Sequence, residues 1–175
     1  MAVSLTAGTT YAIQVGPDSD TGTVVVRAEA HDVRGAVERL GVTADDNLST
    51  AGTDLIFDQD GNPFITYRDF TADELWYARR DGDGAWTAGS VADGGVGAAI
   101  AQLADGAFAI AHEDGNDLMV TTGTPGAWTT TVVDDGSAIG GSGATSVGDT
   151  PSIVDLGDGD IAVVHVGGQY QLRLA

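Results

Sequence analysis

The 175-residue sequence predicts an all-β protein built from tandem four-stranded antiparallel units, and two observations carry that reading. The dipeptide Asp-Gly recurs at Asp60-Gly61, Asp105-Gly106 and Asp158-Gly159. Two, four and six positions after each glycine stand Pro63, Ile65 and Tyr67, then Phe108, Ile110 and His112, then Ile161, Val163 and His165. This period-two alternation marks a strand with one face buried. A second apolar segment precedes each turn: Leu55-Ile56-Phe57, Ala99-Ile100-Ala101 and Ile153-Val154. Each unit therefore opens with a hairpin whose Asp-Gly turn accepts positive φ. Gly22, followed by Val24, Val26 and Ala28, fits the pattern more loosely.

A third strand follows in each unit, at Leu75-Trp76-Tyr77, Leu118-Met119-Val120 and Tyr170-Gln171-Leu172. A fourth follows in two of them, where Gly84-Ala85-Trp86-Thr87 matches Gly126-Ala127-Trp128-Thr129. Four strands in roughly 40–50 residues is the length of one propeller blade, so the expected arrangement is small and propeller-like. The repeat domain is expected over 53–175, with units at about 53–93, 94–135 and 149–175. The last unit ends where its Trp-bearing strand is due. Native sheets close or cover such an edge. A strand from outside residues 150–175 is expected to pair there, either Ala2 to Thr6 or a segment of another subunit.

Residues 1–42 are expected to form a separate N-terminal element. Thr10 to Ala30 reads as a hairpin turning at Pro17 to Gly22. Asp32 is a fitting N-cap, Val33, Val37 and Leu40 fall at i, i+4 and i+7, and Gly41 is a fitting stop, so Val33 to Leu40 reads as a short helix near residues 33–40. Residues 43–52 read as a linker, and the Gly/Ser-rich stretch from Asp134 to Asp149 as a long loop.

The run Asp58-Gln59-Asp60-Gly61-Asn62-Pro63-Phe64-Ile65-Thr66-Tyr67, continuing to Leu75-Trp76-Tyr77-Ala78 and Trp86, resembles repeats of sialidase-like and lectin-like β-propellers. The resemblance covers Thr53 to Ala175 and implies blade architecture. It does not extend to activity. Asp81-Gly82-Asp83-Gly84-Ala85-Trp86 lacks the Ser, Thr and spacing of the sialidase Asp-box, and the family's three substrate-binding Arg, Tyr nucleophile and acid/base Asp have no placeable counterparts.

Charge narrows the partners. Seven Arg and no Lys face 22 Asp and four Glu, for a formal net charge of −19. Such a chain repels nucleic-acid phosphate and anionic membranes. Salt screens the self-repulsion, with a Debye length of about 3 Å at 1 M. A halophilic origin fits this surface, and a GC-rich codon bias explains the same composition. Stability is expected to rise from low to molar salt. A thermal melt that is unchanged or lowered at molar salt would count against the halophilic reading. No apolar run approaches the ~20 residues of a membrane span, so no membrane insertion is expected. Met1 to Thr10 lacks the pattern of a secretory signal. Without Cys, disulfides and thiolate chemistry are excluded.

Carboxylates cluster at the turns. Asp58, Asp60, Asn62 and Asp69 are the best candidate set for Ca²⁺, the one cofactor weighed. The competing reading is Asp-rich hairpin turns. His112 and His165 share one repeat position with Tyr67. They are read either as a two-His metal site, with Glu113 as third ligand, or as repeat symmetry in which each ring packs and makes one hydrogen bond. Trp86 and Trp128 fit packing anchors between units better than sugar-stacking platforms. Arg68, Trp76, Tyr77, Arg79 and Arg80 form the one basic and aromatic cluster and are the expected contact patch.

No phosphate loop and no nucleophile in a recognisable setting occurs, so catalytic residues are expected to be absent. The expected role is a non-enzymatic structural or attachment protein of an extracellular assembly, such as a virion decoration or tail protein. Its partners would be protein subunits of the same or a larger assembly. A lectin-like module that binds glycans is the alternative, and a glycosidase-like enzyme the third reading.

Overall fold

A computed structural model describes residues 11–14, 23–26, 52–69, 72–137, 146–167 and 171–175. The chain divides into two compact units, Met1–Glu38 and Arg39–Ala175. In the first, β1 (Tyr11–Gln14) pairs antiparallel with β2 (Thr23–Val26), the expected hairpin. The expected helix at Val33 to Leu40, the strand at Ala2 to Thr6 and the linker before Gly52 lie outside the described residues.

The second unit holds three antiparallel sheets. Sheet I is β3 (Asp54–Phe57), β4 (Pro63–Asp69), β5 (Glu74–Arg80) and β6 (Trp86–Asp93), paired in chain order. Sheet II repeats this with β7 (Val96–Gln102), β8 (Phe108–Asp114), β9 (Asp117–Thr124) and β10 (Ala127–Asp134). Sheet III has β11 (Asp149–Gly157), β12 (Asp160–Gly167) and β13 (Gln171–Leu174). The all-β, repeated-strand architecture is thus as expected. No sheet among the described residues closes on itself.

The three Asp-Gly turns differ in detail. In sheet I the Gly61 N–H donates to the Asp58 carbonyl and the Asp58 N–H to the Asn62 carbonyl, a three-residue loop with Gly61 at φ 80°. The Leu103 to Ala107 turn repeats it. In sheet III, Asp158 at φ 54° and Gly159 at φ 90° make a two-residue turn with both central residues left-handed, the type whose twist matches the flanking strands. Irregularities recur too. β7 and β11 both slip register near their starts, and β10 and β6 near their ends.

Successive sheets stack face on face. Strand alternation puts the residues two, four and six positions after the turn glycine on one face, here called upstream, and their neighbours on the downstream face. The downstream face of sheet I, with Phe64, Leu75, Tyr77 and Val91, packs against Ile100, Phe108 and Ile110 on the upstream face of sheet II. The downstream face of sheet II, with Ala111, Leu118 and Val120, packs against Ile153, Ile161 and Val163 of sheet III. The first joint is aromatic: Phe64 stacks on Phe108 at 4.1 Å between ring centroids and on Tyr77 at 5.3 Å.

The leading edges of the first strands also meet. A Cβ on Gly52 would lie 2.5 Å from the Gly97 Cα, so backbone rests on backbone there and no larger residue fits. The Asp54 carboxylate accepts the Ile100 N–H at 2.9 Å, which satisfies a donor on the free edge of β7. Gln59 and Gln102 join the neighbouring turns through the Gln59 N–H and the Gln102 Oε1, 2.7 Å apart.

Candidate functional site

The expected contact patch is divided by strand geometry. Arg68, Tyr77 and Arg79 lie on the downstream face of sheet I, and Trp76 and Arg80 on the upstream face, since adjacent residues alternate. Tyr77 is buried in the joint with sheet II, where its ring lies 6.0 Å from Trp128. Arg68 pairs with Asp73, and Arg79 with Asp58 at 2.9 Å. Trp76 is half-buried and its indole N–H donates to Glu74 Oε2 at 3.0 Å. Arg80 is exposed. The five residues do not form one surface.

The candidate calcium residues also separate. Asp58 Oδ1 accepts the Asp60 and Asn62 N–H groups, and its Oδ2 accepts from Arg79. Burial pushes the Asp58 carboxyl up, but the Asn62 N–H and the Arg79 guanidinium more than offset this and hold it below its usual range. Its oxygens are thus committed to the turn and the arginine. Asp69 ends β4 and accepts the Ala72 N–H at 2.8 Å. A seven-residue strand spans roughly 20 Å, so Asp69 cannot share an ion with Asp58. Among the described residues no group of three or more His, Asp or Glu is placed to hold a metal.

His112 and His165 occupy different joints, which separates the proposed two-His site. His112 is fully buried between sheets I and II, against Gly95 and Leu75. Its Nε2 lies 2.9 Å from Thr121 Oγ1, which in turn bonds Thr130 Oγ1 at 2.8 Å. Nδ1 is buried without a partner, so the proton belongs on Nε2, where it is donated to Thr121. Burial pushes the imidazole pKa down to about 4. Although a hydroxyl sits beside a histidine here, Thr121 is fully buried too, and a substrate has no access to the pair.

His165 is buried between sheets II and III. Its Nδ1 accepts the Gly148 N–H at 3.0 Å, and Nε2 lies 3.3 Å from Asp134 Oδ2. Asp134 is held from its other side by Arg173 Nε at 2.6 Å. Burial lowers the His165 pKa more than Asp134 raises it, which favours the neutral ring. With Nδ1 accepting from the backbone, the proton belongs on Nε2, which is buried near Asp134 without a hydrogen-bond partner, and the buried ring is an anchor between sheets. Tyr67, at the same repeat position, is buried as well, and burial with nearby Asp69 pushes its phenol up to about 12.

Trp128 is half-buried against Tyr77, which makes it an inter-sheet contact. Trp128→Ala is expected to cost about 3 kcal/mol, the low end for a buried aromatic. Chemical denaturation checks this, and a loss below about 1 kcal/mol would mean that the indole is dispensable to the joint.

The surface feature that strand periodicity alone did not reveal is apolar. On the downstream face of sheet III, Val154, Leu156, Val164, Leu172 and Leu174 are all exposed, the two leucines of β13 by 76 % and 73 %. Val164 sits directly across from Leu174, and Val166 from Leu172, so the patch is continuous. On the upstream face of sheet I, Leu55 and Phe57 are exposed, Phe57 by 66 %. The signal was present in the sequence. Strands β11 and β12 carry apolar residues on both faces, as strands of sandwiched sheets do. An open groove of about 600 Å³ lies between the ends of β10 and β13, lined by Val132, Val133, Asp134, Asp135, Arg173 and Leu174 among others.

Within the described residues, then, the polar clusters are structural, the downstream face of sheet III is exposed and apolar, and on the upstream face of sheet I only the β3 side chains Leu55 and Phe57 are exposed while Tyr67 and Ala78 are buried. No helix of the described residues is long and apolar enough to cross a membrane. Compared with known proteins, the chain matches no family model, no curated protein and no solved structure.

Proposed function

We propose that the chain is a non-enzymatic structural subunit of a larger extracellular assembly, such as a virion decoration or tail protein, with propeller-like packing of its sheets. The observation that carries this reading is the open flank of sheet III. There β13 pairs only with β12 among the described residues, and Leu172 and Leu174 project from an apolar face. Exposed apolar patches of this kind mark interaction sites, and an unpaired strand edge offers main-chain hydrogen bonds to an added strand. The formal charge of −19 supports the choice of partner class, because protein surfaces tolerate it where phosphate polyanions do not. It also predicts that assembly is promoted by salt, since screening removes like-charge repulsion while leaving apolar contact intact.

Light scattering of the full chain at micromolar concentration, in low and in molar salt, tests this. A defined oligomer that strengthens with salt is expected. A monomer under all conditions that binds glycans would replace the reading with a lectin-like module. Turnover of a sialoside would replace it with a glycosidase-like enzyme.

A further inference from the structure

Repeat equivalence shows which positions of sheet III are made for burial. Five and seven positions after the turn glycine stand Thr66 and Arg68 in sheet I, Ala111 and Glu113 in sheet II, and Val164 and Val166 in sheet III. Their cross-strand partners on the third strand are Tyr77 and Leu75, then Val120 and Leu118, then Leu174 and Leu172. Leu75 and Leu118 are fully buried and Tyr77 and Val120 nearly so, each in the joint with the next sheet. Leu172 and Leu174 hold the same two positions and are 76 % and 73 % exposed. Val154, Leu156 and Val164 extend this exposed face, and Ser152, Ala162 and Val166 complete it among the described residues. Only Asp160, at the hairpin turn, brings a charge to it.

We infer that this face makes a two-fold contact: the downstream face of sheet III of one chain packs against the same face of a second copy of this chain. This rests on the assembly reading and names its partner and geometry. Charge, area and the lack of another face select the occupant. In a chain of formal charge −19, a face with carboxylates only at its turn end is where two copies approach with the least repulsion and without desolvating a charge. Five side chains this exposed make an apolar patch of roughly 500 Å², at the upper end of what monomers leave open. Pairing two such patches buries about 1,000 Å², the lower bound for a specific interface. A second copy offers no other apolar face among the described residues. The upstream face of sheet I is covered at its centre, where Tyr67 is 3 % and Ala78 1 % exposed, so head-to-tail stacking is closed. The remaining exposed large apolar side chains come as pairs on single strands, Leu55 and Phe57 on β3 and Val132 and Val133 on β10. Like faces therefore meet, in the isologous arrangement commonest among soluble oligomers. Two apolar sheet faces brought together in this way pack as the halves of a sandwich do. The contact consumes the face on both chains, so assembly through it stops at two copies.

In molar salt the wild-type chain is expected to be a dimer by light scattering, with no larger species as the concentration rises. Leu172→Asp should weaken that dimer by roughly 100-fold or more, because each copy then sets a carboxylate against an apolar face. Phe57→Asp is the control, and it should leave the dimer unchanged because Phe57 lies on sheet I. Both side chains are largely exposed in the single chain, so each variant should fold, as circular dichroism and melting would verify. A dimer that survives Leu172→Asp, or one that is lost in Phe57→Asp, would overturn this contact and leave the assembly reading standing. Growth beyond two copies through this face would do the same. The chain has no Cys, so Leu172→Cys adds a unique thiol. That thiol should react with a soluble maleimide in the dilute monomer and be protected in the dimer. If it resists in the monomer, the face is covered by another part of the same chain and the proposal fails. A wild-type chain that is monomeric at every concentration and salt overturns the contact as well. The assembly reading falls with it only if that monomer binds glycans or turns over a sialoside.

Discussion

Phe64→Ala is expected to destabilise the sheet array by about 4 kcal/mol, within the range for deleting a buried Phe side chain. Phe64 is fully buried at the joint between sheets I and II, with rings on two sides of it. Its neighbours are held by two different sheets, so the cavity cannot collapse without moving one sheet against the other. Stacked repeats hold together through nearest-neighbour interfaces, and among the described sheets sheet I packs against sheet II alone. Weakening this joint should therefore uncouple sheet I, and unfolding should broaden or split into two transitions. Urea denaturation followed by tryptophan fluorescence and by circular dichroism would show this. A loss below about 1.5 kcal/mol, with a single sharp transition, would mean that the aromatic stack does not hold the sheets together. Leu172→Ala is the control, expected within about 0.5 kcal/mol of the parent in dilute, monomeric protein because the side chain is exposed.

The second large effect is a dependence of stability on pH through His112. Its folded pKa is pushed down to about 4 from an ordinary value of 6.5. Above pH 6.5 the ring is neutral in both folded and unfolded chains and its contribution is complete. Between 6.5 and about 4 the unfolded chain takes up a proton that the folded chain excludes, so stability falls as the pH drops. Below about 4 both states are protonated and the loss levels off. At 1.36 kcal/mol per pKa unit the full loss is about 3 kcal/mol. The many carboxylates titrate over part of the same range, so the quantity to measure is the difference between the parent and His112→Gln. Glutamine stays neutral and keeps a hydrogen-bonding group near Thr121. The parent should lose about 3 kcal/mol more than the variant between pH 7 and 4. Parallel stability profiles would show that the ring is protonated in the folded protein and that its burial is not as tight as the structure has it.

Both effects arise at joints between sheets, and joints mark the boundary of what was legible in the chain. The strands were legible because their signal is local. A turn glycine followed by period-two apolar residues specifies a hairpin within about a dozen residues, and β3–β4, β7–β8 and β11–β12 form where that pattern lies. Repeat equivalence carried the argument one step further. Trp128 was read as a packing anchor because Trp86 matched it, and its indole does sit against Tyr77 of the preceding sheet. For the histidines, equivalence showed a shared position but not a shared place. Corresponding residues of successive units are each turned toward the preceding sheet, so His112 and His165 end in separate joints.

The contact patch shows the opposite limit. Arg68, Trp76, Tyr77, Arg79 and Arg80 are close in sequence or across one strand pair, and that proximity suggested a common surface. Alternation sends them to two faces, and the guanidinium groups of Arg68 and Arg79 are taken by Asp73 and Asp58. Long flexible side chains choose partners by distance in space, which a period-two pattern does not encode. The candidate calcium residues failed for the complementary reason: Asp58 and Asp69 lie at opposite ends of an extended strand.

From the sequence by itself came the all-β class, the strand positions, the hairpin turns and the strongly acidic surface, because each depends on neighbours within one unit or on composition alone. Only the tertiary structure decided which faces are covered. Sheets I, II and III all carry apolar residues on both sides, and nothing local distinguishes a face that meets a neighbour from one that does not. That distinction depends on the order of stacking, which covers Phe64 and His112 and leaves Leu172 and Leu174 exposed on the downstream face of sheet III.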